Sequence, residues 1–206
     1  MIRYKLVTQD YKTRVGYENE TLWKTVDGKF PKIKAKGQGN KLCTNGVIHS
    51  YSSPLVAVFL NPVHANIDNP RLLETECSEI LIDDGTKAGH KEAYGIREIK
   101  IPEITEEQRI KFAILCALEV YKNSKFSFWA KNWLSGVDRT KESAHAADAN
   151  AADADAYAAD ADAAHAAAYA AATDAYDANV ANIAVYAAKA AGRNLRIQEI
   201  AEEAMK

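Results

Sequence analysis

The residues able to do chemistry are scattered along this sequence, and their spacing limits what each group could do. Asp148, Asp155 and Asp162 stand seven residues apart in a chain segment that is otherwise largely alanine. Carboxylates in a row could hold a cation or present an anionic face to a basic partner. Groups two helical turns apart cannot share one ion, so the spacing predicts a solvated binding face and no metal site. Glu74 and Glu76 alternate, as residues on one face of a strand do. His49 and His64 could each move a proton, but spacing places no second titratable group beside either, and the sequence holds no Gly-x-Ser-x-Gly elbow. Cys43, Cys77 and Cys116 are odd in number, far apart and without a CxxC pair, which suits neither a disulfide framework nor a zinc knuckle and points to a reducing cytosol.

Charge narrows the partners. The 206 residues carry a net charge of -2, unevenly distributed: lysine and arginine are in excess over residues 1–50, while residues 142–177 hold Glu142 and seven aspartates with no lysine or arginine. Lys29, Lys32, Lys34, Lys36 and Lys41 could meet a phosphate backbone, but lysines on a glycine-rich loop are ordinarily just solvated, so nucleic acid is not the expected partner. The start, "MIRYKLVTQDYK", has charges where a secretory leader needs its apolar run, and no window approaches a membrane span. A soluble protein of the cytoplasm is expected, with no membrane partner.

These groups must be positioned by elements that the pattern suggests. "IRYKLV" and "TLWKTV" alternate as half-buried strands, with "GKFPKIKAKGQGN" as a loop after them. A strand is predicted at "GVIHS", then a helix capped by Ser53 with Pro54 in its first turn, stopped by Asn61 and Pro62. "RLLETECSEILI" and "YGIREIKI" read as further strands around the turn-rich "DDGTKAGHKE". From Thr105 the period becomes helical, opened by a Thr105/Gln108 capping box, and a second helix runs from an Asn123 or Ser124 cap to Gly136 with Trp129 and Trp133 in the core. The expected fold class is α+β: a β-rich domain over 1–103, a two-helix connector packed on it over 104–136, and an alanine-rich helical region over 137–206 that ends in an amphipathic helix using Leu195, Ile197, Ile200 and Met205.

Between 137 and 191 there is neither glycine nor proline, and alanine is the strongest helix former, so this stretch is expected as one rod or two helices folded back. Positions 147, 151, 154, 158 and 161 are all alanine at three-four spacing. Such a seam lets helix backbones approach closely, within the chain or between copies in a homo-oligomer.

"NGVIHSYSSPLVAVFLNPVHANI", "NPRLLETECSE", "IREIKIPEITEEQRIKFAILCALEVY" and "WAKNWLSGVDRT" before an alanine-rich tail resemble, from about residue 40 to 191, a family of uncharacterised bacteriophage and bacterial proteins. The resemblance implies a phage-type accessory protein, expected to act without catalysis or cofactor by binding a protein partner, with Asp148, Asp155 and Asp162 as the candidate binding face. A second resemblance is to ADP-ribosyltransferases, in the order of Ser52, Ser53 and Ala57 followed by Glu74-Thr-Glu76. It implies NAD as co-substrate, Glu76 as the catalytic carboxylate with Glu74 beside it, and Ser52 orienting the pair. The interval from Ser53 to Glu76 is short for that family, and its upstream Arg or His has no clear counterpart.

Overall fold

A computed structural model of the chain describes residues 1–152, 159–173, 183, 185–187 and 195–206. The class is α+β, with strands first and helices after them. The chain divides into two compact units, Met1–Pro102 and Glu103–Lys206. The two helices expected as a connector therefore belong to the same unit as the alanine helices.

In the first unit a four-stranded antiparallel sheet has the order β1-β6-β9-β4, with β1 at Ile2–Val7, β4 at Ile33–Lys34, β6 at Arg71–Cys77 and β9 at Glu92–Ile99. β1 and β6 pair from Ile2 with Glu76 to Val7 with Arg71. A three-stranded sheet, β5-β8-β7, holds β5 at Ile48–Ser50, β7 at Ile82–Asp83 and β8 at Ala88–His90. The two sheets meet where Tyr4 exchanges both main-chain hydrogen bonds with Tyr51. β2 (Lys12–Thr13) and β3 (Thr21–Leu22) form a small ribbon.

Alternation explains the core: Leu73 and Cys77 of β6 join Val7, Trp23, Ile33, Ile48 and Ala93 in one buried cluster. Trp23 is fully buried because its indole nitrogen is satisfied, donating to Thr13 Oγ1 at 3.0 Å. Helix α1 (Pro54–Phe59) starts as expected, with the Ser53 hydroxyl accepting from the Val56 amide and Pro54 in the first turn.

Several expectations are corrected here. α1 stops before Asn61 as expected, with Leu60 as its C-cap, but Asn61 and Pro62 open a further turn, α2 (Asn61–His64), since a first-turn proline lacks only an amide that would be unpaired anyway. In "RLLETECSEILI" the strand β6 ends at Cys77 and only Ile82 belongs to another, β7; "TLWKTV" is a strand only over β3, and the expected loop "GKFPKIKAKGQGN" contains β4. The turn-rich stretch contains β8, which is wholly buried.

In the second unit α3 (Glu106–Val120) has the reciprocal Thr105/Gln108 capping box, and α4 (Ser124–Ser135) has Asn123 as cap and Gly136 in the left-handed conformation as terminator. Trp129 and Trp133 are buried, as expected. α5 (Lys141–Ala152) packs on α6 (Ala159–Thr173), which also packs on α3, so the alanine segment folds back on itself. Ala147, Ala151 and Ala161 of the seam are buried; positions 154 and 158 lie outside the described residues. α7 (Ile197–Ala204) packs on α3 through an amphipathic face that includes Ile197 and Ile200. No helix among the described residues is long and apolar enough to cross a membrane.

Candidate functional site: a cationic cleft in the first unit

Five side chains distant in sequence converge on a cleft of about 880 Å³: Lys5, Arg14, Cys43, His49 and Lys87, with Tyr51, His64 and Asp68 also in its wall. That volume lies within the range of ordinary small-molecule sites. Each group is placed by local structure. Lys5 lies within β1, on the face that also carries Val7, with its ammonium 5.6 Å from the Trp23 ring. Lys87 follows a tight turn in which Asp84 Oδ1 accepts from the Thr86 and Lys87 amides at 2.9 and 3.0 Å, with Gly85 left-handed. Arg14 and Cys43 both sit at positive φ, 55° and 61°, a conformation that disfavours side chains other than glycine. Strain of this kind is found where a loop holds a group for function.

Hydrogen bonds fix the protonation of His49. Its Nε2 lies 2.9 Å from the Cys43 amide, and its Nδ1 lies 3.4 Å from Arg14 Nη2. An amide and a guanidinium can only donate, and a neutral imidazole accepts at one nitrogen only. The shorter contact makes Nε2 the acceptor, so Nδ1 carries the hydrogen and faces another donor. Burial, with Lys5, Lys87 and Arg14 nearby, lowers the His49 pKa to about 2, so the ring stays neutral. An acceptor oxygen from outside the chain would satisfy both donors.

The three cations of the cleft have unusual partners. Lys5 Nζ donates to the His49 carbonyl at 2.7 Å, Arg14 Nη2 to the Thr44 carbonyl at 2.8 Å, and Lys87 Nζ to Cys43 Sγ at 3.3 Å. Among the described residues none of the three forms an ion pair with a carboxylate. Burial and then Arg14 lower the Lys5 pKa to about 7, with Cys77 opposing them and Lys87 adding the smallest lowering effect. His64, stacked on Tyr51 at 6.0 Å, is lowered to about 4 by burial and Lys87, and its buried Nδ1 has no hydrogen-bond partner. Tyr51 is only 3% exposed, and burial raises its pKa.

The carboxylates suggested by the transferase resemblance are elsewhere. Glu74 pairs with Arg97 at 3.0 Å, the exposed Glu76 accepts a hydrogen bond from the Tyr94 hydroxyl, and neither lines the cleft. Ser52 has a buried hydroxyl without a partner and is not in the cleft wall either. Of the aspartate face, Asp148 on α5 is tied to His165 on α6, Asp162 lies in the first turn of α6, and Asp155 falls outside the described residues. Among the loop lysines, Lys29 pairs with Asp27, and Lys32 and Lys34 with Glu92. All three cysteines are free, and no cluster among the described residues could hold a metal.

No family model, curated protein or solved structure matches this chain. The site therefore has to be read from its own chemistry. Ser50 and His90 form a hydroxyl–imidazole pair at 2.7 Å, with His90 Nδ1 bonded to the Ser78 carbonyl, but both residues are sealed in the core, 1% and 0% exposed, and act as a structural tie. The cleft is where reactive groups and open space coincide. Sequence reading missed it because its members span Lys5 to Lys87 in no repeating interval; the left-handed loop positions leave no mark in composition.

Proposed function

We propose that this protein binds a small anionic molecule, with phosphate or carboxylate groups, in the cleft of its first unit. The observation that carries this reading is the convergence of Lys5, Arg14 and Lys87 without a carboxylate paired to any of them. Asp68 lies in the wall and Asp84 acts on Lys87 through space, but neither pairs with a cation of the cleft; partly buried cations without a paired carboxylate are costly, and an anion from outside compensates them. The donor-to-donor approach of His49 Nδ1 and Arg14 supports the same reading. Binding remains the activity, as the phage-type resemblance implies, but it moves from the aspartate face to the cleft. The alanine helices act as a packing element within the chain. The placement of Glu74, Glu76 and Ser52 lends no support to a transferase using NAD.

Calorimetric titration with pyrophosphate and with ATP tests the reading. Both are expected to bind, and Arg14→Gln is expected to weaken binding about tenfold or more, the worth of a charge-assisted hydrogen bond. Lys29→Gln, at an exposed lysine outside the cleft, should leave affinity unchanged. Absence of heat with either anion at millimolar concentration, or equal affinity in Arg14→Gln, would refute it.

A further inference from the structure

The geometry points to Lys5 as an imine-forming amine, which condenses with the carbonyl group of an anionic aldehyde or ketone held in the cleft. The inference rests on the anion-binding reading above and names the chemical class of the ligand. Three observations carry it.

The first is the lack of a counter-ion. Lys5 Nζ donates only to the main-chain carbonyl of His49, at 2.7 Å, and makes no ion pair among the described residues. Most lysines are kept as ammonium ions by water or a carboxylate; this one has a neutral oxygen and the face of Trp23. The second is the charge around it. The titratable groups facing Lys5 are Arg14 from the loop after β2, His49 of β5, His64 of α2, Cys77 of β6 and Lys87 beyond the Asp84 turn. Two of these are cations, the histidines are held neutral, and burial raises the Cys77 thiol. An amine beside other cations and out of water favours its uncharged, nucleophilic form, and the lowering of Lys5 to about 7 agrees. On that value the free-amine fraction at pH 7 exceeds that of a solvated lysine on the order of a thousandfold.

The third is the placement of Tyr51, a side chain 3% exposed, in the same wall as Lys5. Condensation needs a group that passes protons to the departing oxygen, and a neutral phenol can do so. The atoms balance without oxidant or reductant. The nitrogen lone pair forms the N–C bond, both amine hydrogens leave with the carbonyl oxygen as water, and a C=N bond remains. Protonation of that nitrogen gives an iminium cation beside the ligand's own anionic group, with Arg14 and Lys87 holding the latter.

Borohydride trapping on the full chain, read by peptide mass spectrometry, tests this. Pyridoxal 5'-phosphate serves as the anionic aldehyde and pyridoxal as its uncharged counterpart. Lys5 is expected to be the first lysine labelled, with a yield rising through about pH 7, and about tenfold faster with the phosphate form, as local concentration in a cationic cleft implies. Lys5→Arg, which has no primary amine able to condense, should lose that label. Labelling confined to exposed lysines, with Lys5 unmodified, overturns the inference. Wild-type mapping decides this without any variant. Pyrophosphate binding by the wild type separates the two readings: if it binds and Lys5 stays unlabelled, only the imine fails; if it does not bind, the cleft reading itself fails.

Discussion

The two units of this chain reach a packed interior by opposite means. The first encloses large side chains, Trp23, Leu73 and Phe59 among them, and tolerates buried polar groups such as Thr75, Lys87 and His90 between short strands. The second, over α5 and α6, packs alanine on alanine: Ala144, Ala147 and Ala151 on one helix, Ala164, Ala167 and Ala168 on the other. Side-chain volume stabilises the first interior, whereas closeness of backbones stabilises the second, because an alanine buries little area and gains mainly dispersion contacts. The difference also separates roles. Irregular loops between short strands can aim five side chains into one cleft; a seam of methyl groups offers no reactive atom.

If this contrast holds, the two interiors should respond with opposite sensitivity to size. Trp23→Ala empties a fully buried site and breaks the bond to Thr13, and should cost about 3–5 kcal/mol in chemical denaturation. Ala151→Leu, at a position 2% exposed, should cost about 1–3 kcal/mol through overpacking as α5 is pushed away from α6. Unchanged melting in Ala151→Leu would mean that the seam is loose and the comparison false.

A smaller effect has the opposite sign. Because the folded pKa of Lys5 lies near 7, below that of a free lysine, the unfolded chain binds more protons between about pH 7 and pH 10. Stability therefore rises with pH through that window, and the cost of a charged Lys5 is complete below pH 7. Lys5→Met should stabilise the protein by about 1–2 kcal/mol at pH 6 and far less at pH 10, net of the lost bond to the His49 carbonyl. A melting-temperature profile that does not depend on pH, or a destabilised variant at pH 6, would show that Lys5 is well solvated. Smallest of all, Asp148→Asn removes a surface pair with His165 and should change stability by less than about 1 kcal/mol.

Local signals are legible in the order of residues alone: the Ser53–Pro54 start, the Thr105/Gln108 box, the Gly136 stop, and the alternation in β1, β6 and β9. Each is a contact between residues a few positions apart. β8 escapes such reading because "AGH" is too short to alternate and is buried on both faces, with Val47 and Ile82 pressed close to the Cα of Gly89. The fold-back of α5 onto α6 is one of two arrangements the composition allows equally, since alanine specifies helix without specifying where it turns. His49 illustrates the limit for the site. Taken alone it has no partner at any useful spacing; its partners are an arginine thirty-five positions earlier and the amide of Cys43.

The pairing of β1 with β6 has a kinetic side. Ile2 must find Glu76 and Val7 must find Arg71 across the whole intervening chain, so the closure entropy of a long loop is spent before that ladder returns any stabilisation. The hairpin-like contact of α5 with α6 closes over a far shorter stretch and can form early. Lys5 lies on the strand that waits longest, so the cleft is completed among the last parts of the first unit to form, and mutations that slow β1 docking would delay the acquisition of ligand binding well after most helical signal has appeared.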